Sequence, residues 1–445
     1  MVNSPIHLNH KPPKIRRITP QKHESVFLDA NIIVILLSLT LFLAYIGGIL
    51  YSKTHIPDIV WLIAFGAILG PITGIIDTAA MTGLAPMLVL MALNLLMFEA
   101  GLNVDFKTFR ESMEKSGYLG VITFTLTTIT VGYGLYYLLP SLFSFTEALL
   151  LGSMIGGTST STVLSILGCI KIGNTDAGQC RLFLVLESIV TDSISIVTTM
   201  TLIRLIQTPQ TPITEGLKDI VFVFTIASLI GFFIGVIWVQ ILNLARNRPF
   251  NYIMTIAVLF FSYILAEQVG GPGTGALAAL VFGITLTNYP LIAVRFKLNE
   301  RVRVEKRRLR EFHEEITFLI KSFLFLFVGL QMRLNIDYIA IGVGIATMIG
   351  LIRAVSIYLT TLFTPLSEVE VKIGRLEFSN GLTAIVLAQL PLLVDGSHFT
   401  DPSIYPALIV PAVLTTALFG SLIGPMLYDS EKPPIEPETA ASSQE

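Results

Sequence analysis

The sequence predicts an all-α polytopic membrane protein of about thirteen transmembrane helices, and three observations carry that prediction. Of 445 residues, 53% are hydrophobic and 13% charged, with a mean hydropathy of +0.74; soluble domains hold roughly 25% charged residues. Apolar stretches of ~20 residues, the length a hydrocarbon core demands, recur along the whole chain. The alternating segments of about ten residues that build a membrane β-barrel do not occur. Backbone polar groups in lipid must be satisfied within each segment, so the stretches read as helices.

In order, the spans cover 30–51, 58–76, 84–103, 117–140, 146–168, 181–204, 219–243, 250–268, 273–290, 314–333, 337–363, 374–394 and 405–428. The first is too long for a signal-peptide core and has no small-residue cleavage site, so it reads as a retained span. Residues 1–26 form a tail containing Pro and Lys/Arg, and 429–445 a polar, Pro-rich tail; both compositions predict disorder. Residues 27–428 then make one membrane unit.

A net charge of −2 excludes a bulk electrostatic case for nucleic-acid binding. The basic residues inform through their placement. One set of loops holds Lys53, Lys107, Arg110, Lys115, Lys171, Arg246 and Arg248, eight more between 295 and 310, then Lys372, Arg375 and Lys432. The other set holds Arg204, Lys218 and Arg333. The positive-inside rule places the first set and the C-terminus in the cytoplasm and the N-terminus outside, in the cell membrane. The basic N-terminal tail argues the other way and is outvoted by the loops. Cys169 and Cys180 flank one short loop at the reducing face and read as free thiols.

Charges inside spans cost roughly 2.5–3.5 kcal/mol each at a helix centre and are functional candidates by default. The sixth span, within RLFLVLESIVTDSISIV, holds Glu187 and Asp192. At ~1.5 Å per residue from Arg181, Asp192 sits about 16 Å deep, near the midplane. Ser188, Asp192 and Ser195 fall at i, i+4 and i+7 and share a face, with Glu187 and Thr191 on a neighbouring stripe. A carboxylate flanked by hydroxyl oxygens suits a small, hard cation such as Na⁺. The competing reading is that the acids only pair with basic residues. Arg353, deep in the eleventh span, supplies such a partner, and a guanidinium suits bidentate pairing with Glu187. That leaves Asp192 free to exchange ligands. Lys321 lies close enough to its span's end to snorkel.

The fifth span carries Gly156-Gly157-Thr158-Ser159-Thr160-Ser161-Thr162 at its centre, and the twelfth Ser379-Asn380-Gly381-Leu382-Thr383. Glycines weaken a helix, and hydroxyls can satisfy the backbone groups set free. Paired interrupted helices point to a transporter built on inverted repeats, with the two discontinuous spans meeting near the substrate. Close packing of small residues is the structural alternative for either segment alone. Glu99 and His313 lie near the cytoplasmic ends of spans three and ten. A His there titrates around its ~6.5 reference and offers a pH modulator; a solvated interfacial residue is the plainer reading.

These features resemble the monovalent cation:proton antiporter superfamily, most of all the NhaP-type sodium/proton antiporters (sodium/hydrogen exchanger family). The resemblance covers nearly all of 27–430 and includes LMFEAGLNVDF, GGTSTSTVLSIL, LESIVTDSISIV, FLFLFVGL and the Arg of the eleventh span. It implies that Asp192 is the cation- and proton-binding aspartate, Ser188 its hydroxyl ligand and Thr158 the threonine at the fifth-span break. It likewise implies that Glu187 and Arg353 form a stabilising ion pair. Two positions depart from the family pattern: Thr191 stands where Asn is usual, and Ser159 follows Thr158 where Asp is usual. The resemblance also implies a moving core of spans 4–6 and 11–13, and a dimerising scaffold of spans 1–3 and 7–10.

The resulting expectation is electroneutral exchange of a monovalent cation, Na⁺ first, for a proton by alternating access, serving sodium and pH homeostasis. Asp192, Ser188, Thr158, Ser159 and Thr191 would bind the ions, with no cofactor and no enzymatic activity. K⁺/proton antiport and sodium-coupled solute carriage are the alternatives. No phosphate-binding loop is present, which excludes an ATP-driven pump for this chain alone.

Overall fold

A computed structural model describes residues 30–76, 85–104, 106–159, 163, 174–207, 213–244, 250–297, 306–394, 396–424 and 426–427. Among them the regular structure is helical throughout. The helices are α1 (Ala30–Thr54), α2 (Asp58–Ala67), α3 (Ala85–Asn103), α4 (Phe106–Leu138), α5 (Phe145–Met154), α6 (Asn174–Gln207), α7 (Ile213–Leu244) and α8 (Asn251–Gly270). They continue with α9 (Thr274–Phe296), α10 (Lys306–Leu330), α11 (Ile336–Phe363), α12 (Glu368–Leu376), α13 (Leu382–Ala388), α14 (Leu390–Leu393) and α15 (Ile404–Leu418).

Nine of the described helices are long and apolar enough to cross a membrane, fewer than the expected count of about thirteen. The shortfall has local causes. A π-turn at Ile68–Ile72 containing Pro71 extends α2, and Pro removes a helical donor there. Helix α5 stops at Met154, before a non-helical stretch at 155–159, and the twelfth span is split between α12 and α13. Helix α10 carries too many charges in its first turns to count as an apolar span. The two terminal tails, Cys169 and the stretch 164–168 of the fifth span lie outside the described residues. Cys180 is not in a loop: it is a free, buried thiol inside α6, which starts earlier than the sequence pattern predicts.

The helices pack in two groups. Helix α4 lies against α5, α6 and α11, and α15 against α11 and α13. In the second group α9 packs on α3, α7 and α8, while α10 packs on α2 and α3. Without a hydrophobic drive between helices in lipid, close backbone approach at small residues matters more. At the α2–α10 crossing a Cβ on Gly66 would overlap Leu326 O, and one on Gly329 would overlap Ile63 O. The local signals for the short helices are plain. Capping boxes start α5 (Ser144, Glu147) and α12 (Ser367, Glu370).

Candidate functional site

Two helix breaks face one another across the first group. After α5 the chain leaves helical geometry at 155–159, and between α12 and α13 it does so at 377–381. Both breaks leave backbone groups without helical partners inside a buried region, and they satisfy each other. Ser159 N donates to Ser379 O at 2.9 Å. The Asn380 amide donates to Ile155 O at 2.5 Å and to Gly157 O at 2.6 Å. These carbonyls sit at the C-terminal end of α5, where the helix dipole is negative.

Helix α6 passes beside this crossing. Ser188 Oγ donates to Thr158 O at 2.8 Å, and Thr191 Oγ1 lies 3.2 Å from both the Thr158 amide and its hydroxyl. Ser195 Oγ donates to Ser153 O at 2.6 Å. The hydroxyl stripe predicted as ion ligands thus divides. Ser188 and Thr191 are buried and hold the α5 break to α6, while Thr158, Ser159 and Asp192 line a cavity of about 700 Å³.

Asp192 stands at the inner end of that cavity. Its Oδ1 is buried with no hydrogen-bond partner, and the Thr383 side chain at the start of α13 reaches the carboxylate. A Cβ on Gly157 would come within 2.7 Å of Oδ1, so glycine is what lets the break approach the acid. Asn380 and Gly381 complete the wall on that side. The opposite wall comes from α2, α3 and α10, and the cavity therefore lies between the two helix groups. Toward its mouth it meets Glu99, Arg181, Arg310 and Glu314, at the face that carries the basic loops.

Glu187 faces elsewhere. Five residues from Asp192, it is turned about 140° around the helix axis. Arg353 Nη1 donates to Glu187 Oε1 at 2.8 Å and Nη2 to Oε2 at 3.2 Å, a bidentate pair with both side chains at most 1% exposed. Arg353 Nε donates to Gly374 O at 2.6 Å, tying α11 to the end of α12. Glu377 was missed by the sequence reading. It is fully buried, with Oε2 3.7 Å from Arg353 Nη2. An acid close to the start of the twelfth span was its available signal.

Glu99 lines the cavity, but His313 does not. The His313 ring is buried between α3 and α10, with Nε2 2.9 Å from Leu95 O and 3.0 Å from Thr317 Oγ1, and packs edge-on against Phe98. The expectation of a ring at a solvated membrane entrance is corrected: the helix rotation turns it inward. Lys321, partly exposed, lines the cavity with its amine 3.9 Å from Asp58 at the start of α2.

The sodium/hydrogen exchanger transmembrane family matches residues 38–428. The chain is 26% identical over 343 residues to the Na⁺/H⁺ antiporter ApNhaP of Aphanothece halophytica, covering 74% of this chain and 60% of that protein's length. It is 24% identical to the low-affinity Na⁺/H⁺ antiporter NhaS1 of Synechocystis, covering 91% of this chain and 73% of the relative. The fold is similar to that of the sodium proton antiporter MjNhaP1 of Methanocaldococcus jannaschii, with a TM-score of 0.71 at 20% identity over 88% of this chain and 97% of that one.

Proposed function

The chain belongs to the sodium/hydrogen exchanger family, and from that premise we propose that it is a multi-pass sodium/proton antiporter working by alternating access. A transporter role rather than an enzymatic one is part of this reading. The observation that carries it is the Asp192 carboxylate, whose buried Oδ1 lacks a hydrogen-bond partner at the inner end of a cavity between two crossed helix breaks. A carboxylate so placed takes either a cation or a proton, because a bound cation favours its charged form and excludes the proton.

Thr158, Ser159 and Thr383 supply oxygens beside it, and the carbonyl end of α5 adds negative dipole character. Ser188 and Thr191 act by fixing the break that presents Thr158. One exchangeable carboxylate beside the crossed breaks, Asp192, gives one proton per cation and hence electroneutral exchange. The helix group of α4–α6, α11–α13 and α15 is the moving core, and the group of α1–α3 and α7–α10 the scaffold. Homodimerisation through the scaffold belongs to the same reading, as does a cell-membrane location. With the basic loops cytoplasmic, the cavity opens inward and Glu99 and Glu314 at its mouth attract cations.

Sodium/proton exchange by the full chain in proteoliposomes tests the proposal. Asp192→Asn removes exchange down to the level of protein-free vesicles. Wild-type rates in that variant would end the antiport reading. In the wild-type protein the apparent sodium affinity falls as pH is lowered, since protons and sodium compete for one group.

A further inference from the structure

Among the described residues, several buried or half-buried carboxylates outside the cavity are consumed by helix ends, as Glu370 is in the capping box of α12. Glu147 accepts from Ser144 N, Thr400 N and Thr400 Oγ1, and Glu267 Oε1 from the amides of Gly273 and Gly275. Glu377 differs. Its Oε1 accepts from Ser379 Oγ at 2.7 Å, but Oε2 has no hydrogen-bond partner. The nearest cation, Arg353, already spends both terminal nitrogens on Glu187. One guanidinium therefore faces two carboxylates, all three at most 1% exposed. An uncompensated negative charge in such a site is strongly disfavoured, and the ordinary remedy is a proton.

The other charged and titratable groups around the cluster do not supply the missing positive charge. Lys115 of α4 is paired with Glu370 of α12 at 3.3 Å. Cys180 of α6 is a buried free thiol beside Arg353 and no cation, and Thr123 of α4 accepts from Arg353 Nη1 at 3.4 Å. Glu377 is also linked to the cavity through a short chain of contacts. Its carboxyl holds Ser379 Oγ, and the Ser379 carbonyl holds Ser159 N, whose residue lines the cavity with Asp192.

We propose that Glu377 is a second proton-binding group of this protein, a carboxylic acid in the structure described, that gives up its proton as pH rises and thereby sets the pH dependence of transport. With the proton present, Arg353 belongs to Glu187 alone. With it gone, two carboxylates compete for Arg353 and the α12–α13 break shifts through Ser379 and Asn380. The functional part rests on the antiport reading, but the protonation itself does not.

Infrared titration of the full chain in lipid reads the proton directly. In the Asp192→Asn background a carboxylic-acid C=O band at neutral pH is lost when Glu377→Gln is added. A spectrum that the second change leaves unaltered overturns the proposal. Glu377→Asp, which keeps a titratable carboxyl, moves the band and serves where the Gln variant fails to fold. If neither variant folds, the Asp192→Asn spectrum decides, and the absence of any such band at neutral pH overturns it. In exchange assays Glu377→Gln moves the midpoint of the pH profile by about half a unit or more, as expected for removal of a coupled site. A superimposable profile overturns the functional part. Wild-type exchange in Asp192→Asn alone would instead defeat the antiport reading and leave the Glu377 band in place.

Discussion

Glu187 and Asp192 lie five residues apart on α6, yet the molecule treats them in opposite ways. Glu187 is sealed between helices and held by two hydrogen bonds from Arg353, with Glu377 Oε2 3.7 Å from the same guanidinium. Asp192 faces a cavity, keeps one oxygen without a hydrogen-bond partner, and has Thr383 and the Gly157 backbone close by. The turn of about 140° between the two positions sends one carboxylate toward α11 and the other toward the crossed breaks. The difference teaches that a buried carboxylate is not functional by being buried. What distinguishes the working group is an incomplete set of partners beside a space that an ion can enter.

Breaking the sealed side carries the largest expected effect. Arg353→Ala leaves buried carboxylates without their cation and lowers stability by about 3–5 kcal/mol, seen as a fall in thermal unfolding temperature in detergent. Asp192→Asn, at the open side, leaves that temperature unchanged or raised, because it removes a charge that nothing pairs. Next is Gly157→Ala, which pushes a methyl group against Asp192 Oδ1. Overpacking of this kind costs about 1–3 kcal/mol, and sodium-dependent exchange falls by roughly tenfold or more while thermal stability changes less. Thr383→Val removes one hydroxyl beside the carboxylate. Losing about 0.5–1.5 kcal/mol, it raises the sodium concentration for half-maximal exchange by roughly two- to tenfold. Smallest is Lys321→Gln at the cavity wall. Its pair with Asp58 is long and partly exposed, so the variant stays within about threefold of wild type in exchange.

The fold class was legible because it depends on local composition. Segments of apolar residues long enough for a bilayer, with helix as the way to satisfy their backbone, need no tertiary information. The weak points of spans five and twelve were legible for the same reason, as Gly, Ser, Thr and Asn interrupt otherwise apolar runs. The span count was less so. Helix α10 mixes an apolar half with a charged half that faces the cavity, and α2 ends in a Pro-containing π-turn, so neither is a single long apolar helix.

Within the site, Glu187 and Arg353 could be matched because a deep Arg requires a carboxylate and few are available. Glu377 escaped because it sits at the edge of its span, where a charge reads as interfacial. Ser188 and Thr191, on neighbouring stripes of α6, were expected among the ion-binding residues, Ser188 through the family resemblance. Their hydroxyls bond the α5 break, a contact that depends on how α5 and α6 meet and that no pattern on α6 alone encodes. His313 read as an entrance residue, and the packing of α10 on α3 closed it off.

By itself the sequence determined that carboxylates are buried in a membrane protein, that one deep Arg must answer one of them, and that two helices are broken. Each follows from the cost of placing polar groups in lipid, which is a property of a segment and its own residues. The tertiary structure decided which acid the Arg meets, that a third acid joins it, and that Asp192 meets Thr383 and Gly157 at an open cavity. Those outcomes depend on how helices are rotated and on two breaks meeting across 223 residues of chain, and no local pattern encodes that meeting.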